Sequence, residues 1–348
     1  MDLKAIYLTS LARCAPDVIV REHVDASMPR NIVSIGKCAG RLLDGVASVL
    51  PIESAFVAVP AGYALPATPA EVHVGGHPHM TDASFAAGRA LVAFVQSRRD
   101  ILFLVSGGGS ACVEVPAPGL SEADVARENA RLIASGLPIG EINARRRELS
   151  AIKGGRLRAL VRGRAVTLVY SDVATGAIAD VASGPTIGAE PGEAIVIADN
   201  HTLTRTAAQL IGRRAVLFET QLESDVSAAA QLLAERSIQL AEGEIFVAGG
   251  EPTVAVLGDG SGGRCSELAV RFAAVSGAEA LFGSSDGVDG NSGVAAWYLP
   301  RRQERLRLAA HQTALARSDS ASIASQVGEP IMIAPTGNNL RDLFLITR

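Results

Sequence analysis

Short apolar runs alternate with helix-patterned stretches along most of the chain, and glycines crowd the ends of those runs. This alternation constrains the fold more than any other feature. Strand candidates are Asn31–Ile35, Ala55–Val59, Ile101–Val105, Ala165–Tyr170, Ala194–Ala198, Ile245–Ala248, Thr253–Leu257 and Ala280–Phe282. Helices are read over Asp82–Ser97, Ala123–Ser135, Asp225–Arg236 and Ser266–Ser276. The second of these opens on a capping-box variant, Ser121 with Asp124, and closes on Gly136 as its C′ residue. Strands alternating with helices specify an α/β protein with a mainly parallel sheet. A fresh series of strands and glycine turns follows Leu240–Gly243, which sets a first domain at residues 1–242 and a second at 243–348.

At 348 residues the chain is long enough for two cores. Aromatic residues make up only 4% while glycines number 35, so small aliphatic side chains should pack between closely approaching elements. A formal charge of -4 lacks the basic footprint of a dedicated nucleic-acid binder. No apolar run approaches the ~20 residues of a membrane span. Cys14, Cys38, Cys112 and Cys265 lie far apart without a C-x-x-C pair, which fits a reducing compartment. The stretch around Asp2, Lys4 and Arg13 reads as an amphipathic helix, not a signal peptide. The expectation is a cytoplasmic protein acting on a small molecule, with neither nucleic acid nor membrane as partner.

Glycine-rich loops sit where strand candidates end: Ser34–Lys37, Ser106–Ser110, Ser183–Thr186, Gly249–Glu251, Gly258–Gly263 and Gly283–Gly290. In open α/β sheets ligands bind beyond the carboxyl ends of strands. Glycine there lets backbone N–H groups approach an anion. One such loop is ordinary turn chemistry. The series, several members carrying a charged residue, points to a polyanionic ligand. None is a Walker A loop; Lys37, directly after Gly36, is either a point charge for a phosphate or carboxylate or a solvated loop lysine.

If Glu141–Lys153 is helical, Asn143, Arg146, Ser150 and Lys153 fall within an arc of roughly 80°. They then form one polar, cationic stripe, either a solvated face or a binding surface. It runs into Gly154 and Gly155, an unusual place for two glycines unless something packs closely. Asp172, Glu251, Asp286 and Asp289 lie in glycine-rich turns. Magnesium takes one or two such carboxylates, with phosphates and waters completing its shell; Asp-Gly pairs are also common turn formers.

Gly258-x-Gly260-x-x-Gly263 stands between a strand candidate and a helix, the setting of a dinucleotide fingerprint. Its acidic residue, Asp286, comes later than the usual ~20 positions. Gly283-Ser284-Ser285-Asp286-Gly287 matches G-x-S-x-G, but only His311 follows it, too little for a hydrolase triad. His73, His77 and His79 lack a carboxylate or cysteine at ligand spacing, and His77-Pro78 reads as a loop before the helix at Asp82.

Taken in order, SIGK (34–37), GGHP (75–78), VSGGGSA (105–111), SGLPIGEINARRRELSAIKGGRL (135–157), SDV (171–173), ASGPT (182–186), GGEPTV (249–254), GDGSGGR (258–264), SDGVDG (285–290) and PTGNNLRDL (335–343) resemble the glycerate 2-kinases of the MOFRL type. The likeness spans nearly the whole chain. It implies a larger Rossmann-like αβα N-terminal domain, a smaller α/β C-terminal MOFRL domain, and an active site in the interdomain cleft. It implies transfer of the ATP γ-phosphoryl group to the 2-hydroxyl of D-glycerate or a closely related hydroxy acid, with Mg2+, and it allows a homodimer. Lys37 and Arg264 are then the catalytic residues. Ser106, Gly107, Gly108, Gly109, Ser110, Gly184, Asn200, Gly260, Gly262 and Gly263 are expected at the nucleotide. Arg146, Ser150, Lys153 and Glu251 are expected at the acid, and Asp172, Asp286 and Asp289 at the metal. The chain departs from the family pattern at Glu148, Cys265, Ser266, Ser285 and Asn338, and its stretch between Thr186 and Asp199 is short. Two other activities are compatible with these residues: a nicotinamide-dependent hydroxypyruvate reductase, or a catalytically impaired protein that keeps the nucleotide or acid pocket.

Overall fold

The computed structural model describes residues 2–174, 177–188 and 193–348. Two compact units are formed, one by residues 16–199, the other by residues 2–15 with 200–348.

In the first unit six strands build one sheet: β1 (Asn31–Ile35), β2 (Ser54–Pro60), β3 (Glu71–Gly75), β4 (Ile101–Ser106), β5 (Ala165–Tyr170) and β6 (Glu193–Ala198). Their spatial order is β3-β2-β1-β4-β5-β6 and every pairing is parallel. Every residue of β4 and β5 is buried, as a sheet covered on both faces requires. Helices Ala39–Ala47 and Asp82–Ser97 turn apolar faces onto the sheet, with Leu42, Leu43, Leu91 and Val95 fully buried. This is the doubly-wound strand order, and its direction reverses between β1 and β4. Ligands in such sheets bind at that switch point, beyond the carboxyl ends of the strands. The loops leaving β1 and β4 are those that carry Lys37 and the triple glycine.

The second unit departs from the expected parallel sheet. Its strands are β7 (Ala215–Leu217), β8 (Ile245–Gly250), β9 (Glu279–Ser284), β10 (Ala296–Leu299), β11 (Glu329–Ile331) and β12 (Asp342–Thr347), in the order β11-β10-β9-β12-β8-β7. Only β7 with β8 is parallel; β12 inserts antiparallel between β8 and β9. The break between the compact units falls at 199/200, ahead of the domain boundary read at 242/243. β7 hydrogen-bonds to β8, and helix Val226–Gln239 packs Leu233 and Ala234 into the core shared by Phe272, Phe282 and Phe344. The N-terminal helix Leu3–Arg13, capped by Asp2, belongs here too: the Tyr7 hydroxyl donates to the Ser284 carbonyl at 2.6 Å.

Thr253–Leu257 is not a strand. Thr253 makes one isolated bridge to Asp225, and Val256 and Leu257 are 80% and 70% exposed. The helices form within a few residues of the expected limits, and the Ser121–Asp124 capping box is present. Part of the short stretch after Thr186, at 189–192, lies outside the described residues. Among those described, no helix is long and apolar enough to cross a membrane.

Candidate active site

A cavity of about 160 Å³ opens at the carboxyl edge of the parallel sheet. Its lining comes from loops after three strands: His77 after β3, Gly107, Gly108 and Ser110 after β4, and Asp172 after β5. Asn143 and Arg146 reach it from helix Ile139–Leu149, and Asp180 from the turn beyond. The loops after β1 and β4 are clamped together, the Lys37 N–H donating to the Gly107 carbonyl at 2.8 Å. Gly36 has φ +112, and a Cβ there would fall 2.3 Å from the Ser106 carbonyl oxygen. Gly108 has φ +82, and a Cβ there would sit 2.7 Å from Lys37 Cγ, so the lysine stem lies across this glycine. Glycine is needed at both places because only it takes up the φ and the close approach.

A buried polar network supports the cavity. Arg146 is 8% exposed; its Nε donates to Asn129 Oδ1 at 2.9 Å and its Nη1 to Asn143 Oδ1 at 3.4 Å. Ser183 Oγ donates to Asn143 Oδ1 at 3.0 Å and meets Ser110 Oγ at 2.8 Å. Ala182 and Ser183 hold left-handed φ values of 52 and 61, strain that the network and the following Gly184 sustain. Among the described residues no carboxylate lies within ion-pair distance of Arg146. Burial lowers its pKa, with the more distant Glu114 opposing. A cation held this way favours an incoming anion.

His77 is pushed down to about 4 by partial burial, then by the positive charges of Lys37 and Arg146. It is neutral near pH 7, so it adds no charge to the cavity, where Arg146 stands with Asp172 and Asp180. The unfolded chain takes up this proton near 6.5 and the folded chain only near 4. Acidification through that window therefore favours unfolding. Thermal melts at steps between those two pH values should show a smaller fall in Tm for His77→Gln than for the wild type; equal falls would show that His77 carries no such linkage.

Several expected ligands have other work. Ser106 is fully buried, accepting from the Cys38 N–H at 3.1 Å and donating to the Ile35 carbonyl at 3.2 Å. Gly109 packs against Ala182 and Ile35, while Gly184 accepts from the Gly155 N–H at 2.7 Å, which explains the close packing at the 154–155 pair. The cationic stripe breaks, because the helix ends at Leu149 and Ser150 is extended. Asn143 and Arg146 stay at the cavity. Ser150 and Lys153 turn instead to the buried Glu114: Ser150 Oγ donates to Oε1 at 2.5 Å, and Lys153 Nζ pairs with Oε2.

In the second unit Arg264 opens helix Arg264–Val275. Its Nε is 3.0 Å from Asp342 Oδ2 and its Nη1 is 2.9 Å from Glu251 Oε1. Asp342 is fully buried, and its charge, with help from Glu251, raises the arginine pKa against the opposing effect of burial. Glu251 also meets Arg341 Nε at 3.2 Å, so it positions cations here. Asn200 is buried and donates to the Leu340 and Asp342 carbonyls at 2.7 and 3.0 Å. The glycine loop before Arg264 is no open anion cradle. Gly260 N–H donates to the Arg317 carbonyl, Gly262 N–H to Asn291 Oδ1 and Gly263 N–H to Ser266 Oγ. With no strand before it, the dinucleotide fingerprint is not formed.

The three carboxylates expected at a metal also part company. Asp289 is 2% exposed and caps the Arg264–Val275 helix, accepting from the Cys265 and Ser266 N–H groups at 2.8 Å each. Burial raises its pKa against those hydrogen bonds. Asp286 Oδ1 closes its own turn, accepting from Ser284 Oγ and the Val288 N–H. Asp172 alone of the three lines the cavity. Asn129, Glu114, Asp180 and Asp342 carry this architecture and were not singled out from sequence; Asp342 lies inside the quoted 335–343 run.

A profile of a domain of unknown function (DUF4147) matches residues 2–213, and the MOFRL family profile matches residues 244–342. The chain belongs to the DUF4147–MOFRL family. It is 28% identical over 396 aligned positions to a D-glycerate 2-kinase of Thermotoga maritima, covering 97% of this chain and 95% of that protein. A protein of Agrobacterium vitis with a provisional hydroxypyruvate reductase name is 27% identical over 411 positions, covering 99% and 93%. Those 411 positions exceed the 348 residues here, so this relative carries insertions the chain lacks. A crystal structure of a glycerate kinase from Thermotoga maritima superposes with a TM-score of 0.87 at 26% identity, covering 99% of this chain and 97% of that one. The family profiles part between 213 and 244, later than the break between compact units. Three of the departures from the family pattern find partners within the chain. Ser266 Oγ meets Ser320 Oγ at 2.9 Å, Asn338 donates to the Leu11 carbonyl at 2.9 Å, and Glu148 pairs with Arg145 on the surface.

Proposed function

We propose that this protein is an ATP-dependent kinase that phosphorylates the 2-hydroxyl of D-glycerate or a closely related small hydroxy acid. The observation that carries the proposal is Arg146, a buried guanidinium with no ion-paired carboxylate among the described residues, facing a small cavity at the switch point. A carboxylate is its natural complement, since the guanidinium fork matches that group's two oxygens. The full-length likeness to glycerate 2-kinases supplies the reaction class.

In this reading Arg146, oriented by Asn129 and Asn143, holds the substrate carboxylate, and Ser110 binds a substrate oxygen. Lys37 neutralises charge on the transferring group, the main task in phosphoryl transfer. Arg264, its guanidinium aimed by Asp342 and Glu251, is a second cation for phosphoryl transfer. The residues fit Mg2+ only as an ion held largely by phosphate oxygens with Asp172 as protein ligand, because no cluster of three metal-ligating side chains occurs among the described residues. Such an ion would neutralise the phosphate oxygens. The protein is expected in the cytoplasm.

ADP release coupled to D-glycerate, with the product read by phosphorus NMR, tests the assignment. A 2-phosphate is expected. Absence of turnover over a panel of small hydroxy acids, or nicotinamide oxidation with hydroxypyruvate, overturns it. Arg146→Ala should raise the KM for the acid at least tenfold with a far smaller change in the KM for ATP; equal changes would remove the arginine from the acid site.

A further inference from the structure

A second cavity, of about 310 Å³, lies wholly within the unit built by residues 2–15 and 200–348. Four arginines line it, Arg301, Arg302, Arg305 and Arg348, and no aspartate or glutamate does. We propose that this cavity binds a small organic polyphosphate, an anion with two or more phosphate groups on a partly apolar body.

The charge balance carries the argument. None of the four arginines has a carboxylate within ion-pair distance among the described residues, and the neighbouring Glu304 pairs with none of them. The chain as a whole carries -4, so four cations around one hollow do not reflect a generally basic surface. Helix ends supply the competing explanation. Arg348 Nη1 donates to the carbonyl of Leu240, which follows helix Val226–Gln239, at 3.4 Å. Arg302 Nη1 donates to Val327, the last residue of helix Ser320–Val327, at 3.2 Å. Helix Arg264–Val275 also ends at the lining. Each helix end carries roughly half a negative charge. Three ends therefore offset fewer than two of the four positive charges and leave Arg301 and Arg305 without a partner among the described residues. The two unengaged guanidinium groups, those of Arg301 and Arg305, match a dianion or more, and guanidinium forks hold phosphate oxygens in pairs.

The rest of the lining selects the body of the ligand. Ile238 is 71% exposed, and with Val275 and Ala278 it gives an apolar wall beside the arginines. A lone inorganic phosphate would leave that wall in water, whereas a ring or short carbon chain covers it. The volume stands at the lower end of small-molecule sites, roughly 300–1,000 Å³. This cavity shares no residue with the one at Arg146, and the proposal holds whatever reaction occurs there.

Calorimetric titration with inorganic pyrophosphate and with ADP, on the wild type and on the double variant Arg301→Ser/Arg305→Ser, tests it. The wild type should bind ADP at a site additional to the kinase's own nucleotide site, and the variant should weaken that additional site at least tenfold while leaving the other unchanged. At that site pyrophosphate should bind more weakly than ADP. The variant's melting temperature and turnover should stay at wild-type values, since both replaced side chains are exposed. Identical isotherms for the two proteins overturn the site. Pyrophosphate binding there as tightly as ADP overturns the organic body. Because the readout is heat of binding, a failed kinase assay leaves this result standing, and the converse holds as well.

Discussion

Lys37→Ala should lower turnover with D-glycerate by about 10²–10³-fold while leaving the melting temperature nearly unchanged. The magnitude is that of removing one positioned donor from a developing anion, about 2.7–4 kcal/mol. The fold should survive because what ties the loop after β1 to the loop after β4 is the Lys37 backbone N–H on the Gly107 carbonyl, which alanine keeps. The lysine side chain is half-buried over Gly108 and makes no ion pair among the described residues, so its loss strands no buried charge. Arg264→Ala should behave differently. It removes the partner of the fully buried Asp342, and with it the cation proposed for phosphoryl transfer, so both kcat and stability should fall. Turnover of Lys37→Ala within fivefold of the wild type removes the lysine from the chemistry.

The parallel half of the fold was legible because its central strands are uninterrupted apolar runs, with glycine turns close by. Ala165–Tyr170 and Asp82–Ser97 fall at the limits read from sequence. The antiparallel half was not legible in this way. β7 and β11 are three residues each and partly exposed, so they carry little apolar signal, and the pairing of β12 between β8 and β9 is a long-range contact with no local signature. Thr253–Leu257 shows the converse error, an apolar run that the sheet does not recruit. Lys37 and Arg146 stand out in the sequence because charge beside glycine at a strand end, or beside other polar residues on one helical arc, is a local pattern. Whether a polar residue faces ligand or protein is set by tertiary partners. Asp289 caps a helix, Gly260 and Gly262 donate to neighbouring loops, and Glu114 claims Lys153 from 39 positions away.

That last pairing predicts the largest effect on stability. Glu114 and Lys153 are each 1% exposed, and Glu114 also accepts from Ser150 Oγ and the Val115 N–H. Glu114→Ala leaves the lysine charged and unpaired in the interior, which should cost about 3–5 kcal/mol. Against a total of about 5–15 kcal/mol for a folded protein this is a large share, visible as a lower urea midpoint. Glu114→Leu combined with Lys153→Met should recover much of the loss, because well-packed apolar replacements of buried ion pairs are often neutral. The same set of variants decides between the two roles open to Lys153. A lysine that bound the substrate carboxylate would, on Lys153→Met, raise the KM for the acid many-fold and leave stability near the wild type. A lysine that neutralises Glu114 gives the reverse: a large stability loss in the single variant, and recovery of both folding and acid KM in the double. The geometry requires the second pattern, since Ser150 ends the helix that presents Arg146, and Glu114 holds Ser150 and Lys153 with the same carboxylate.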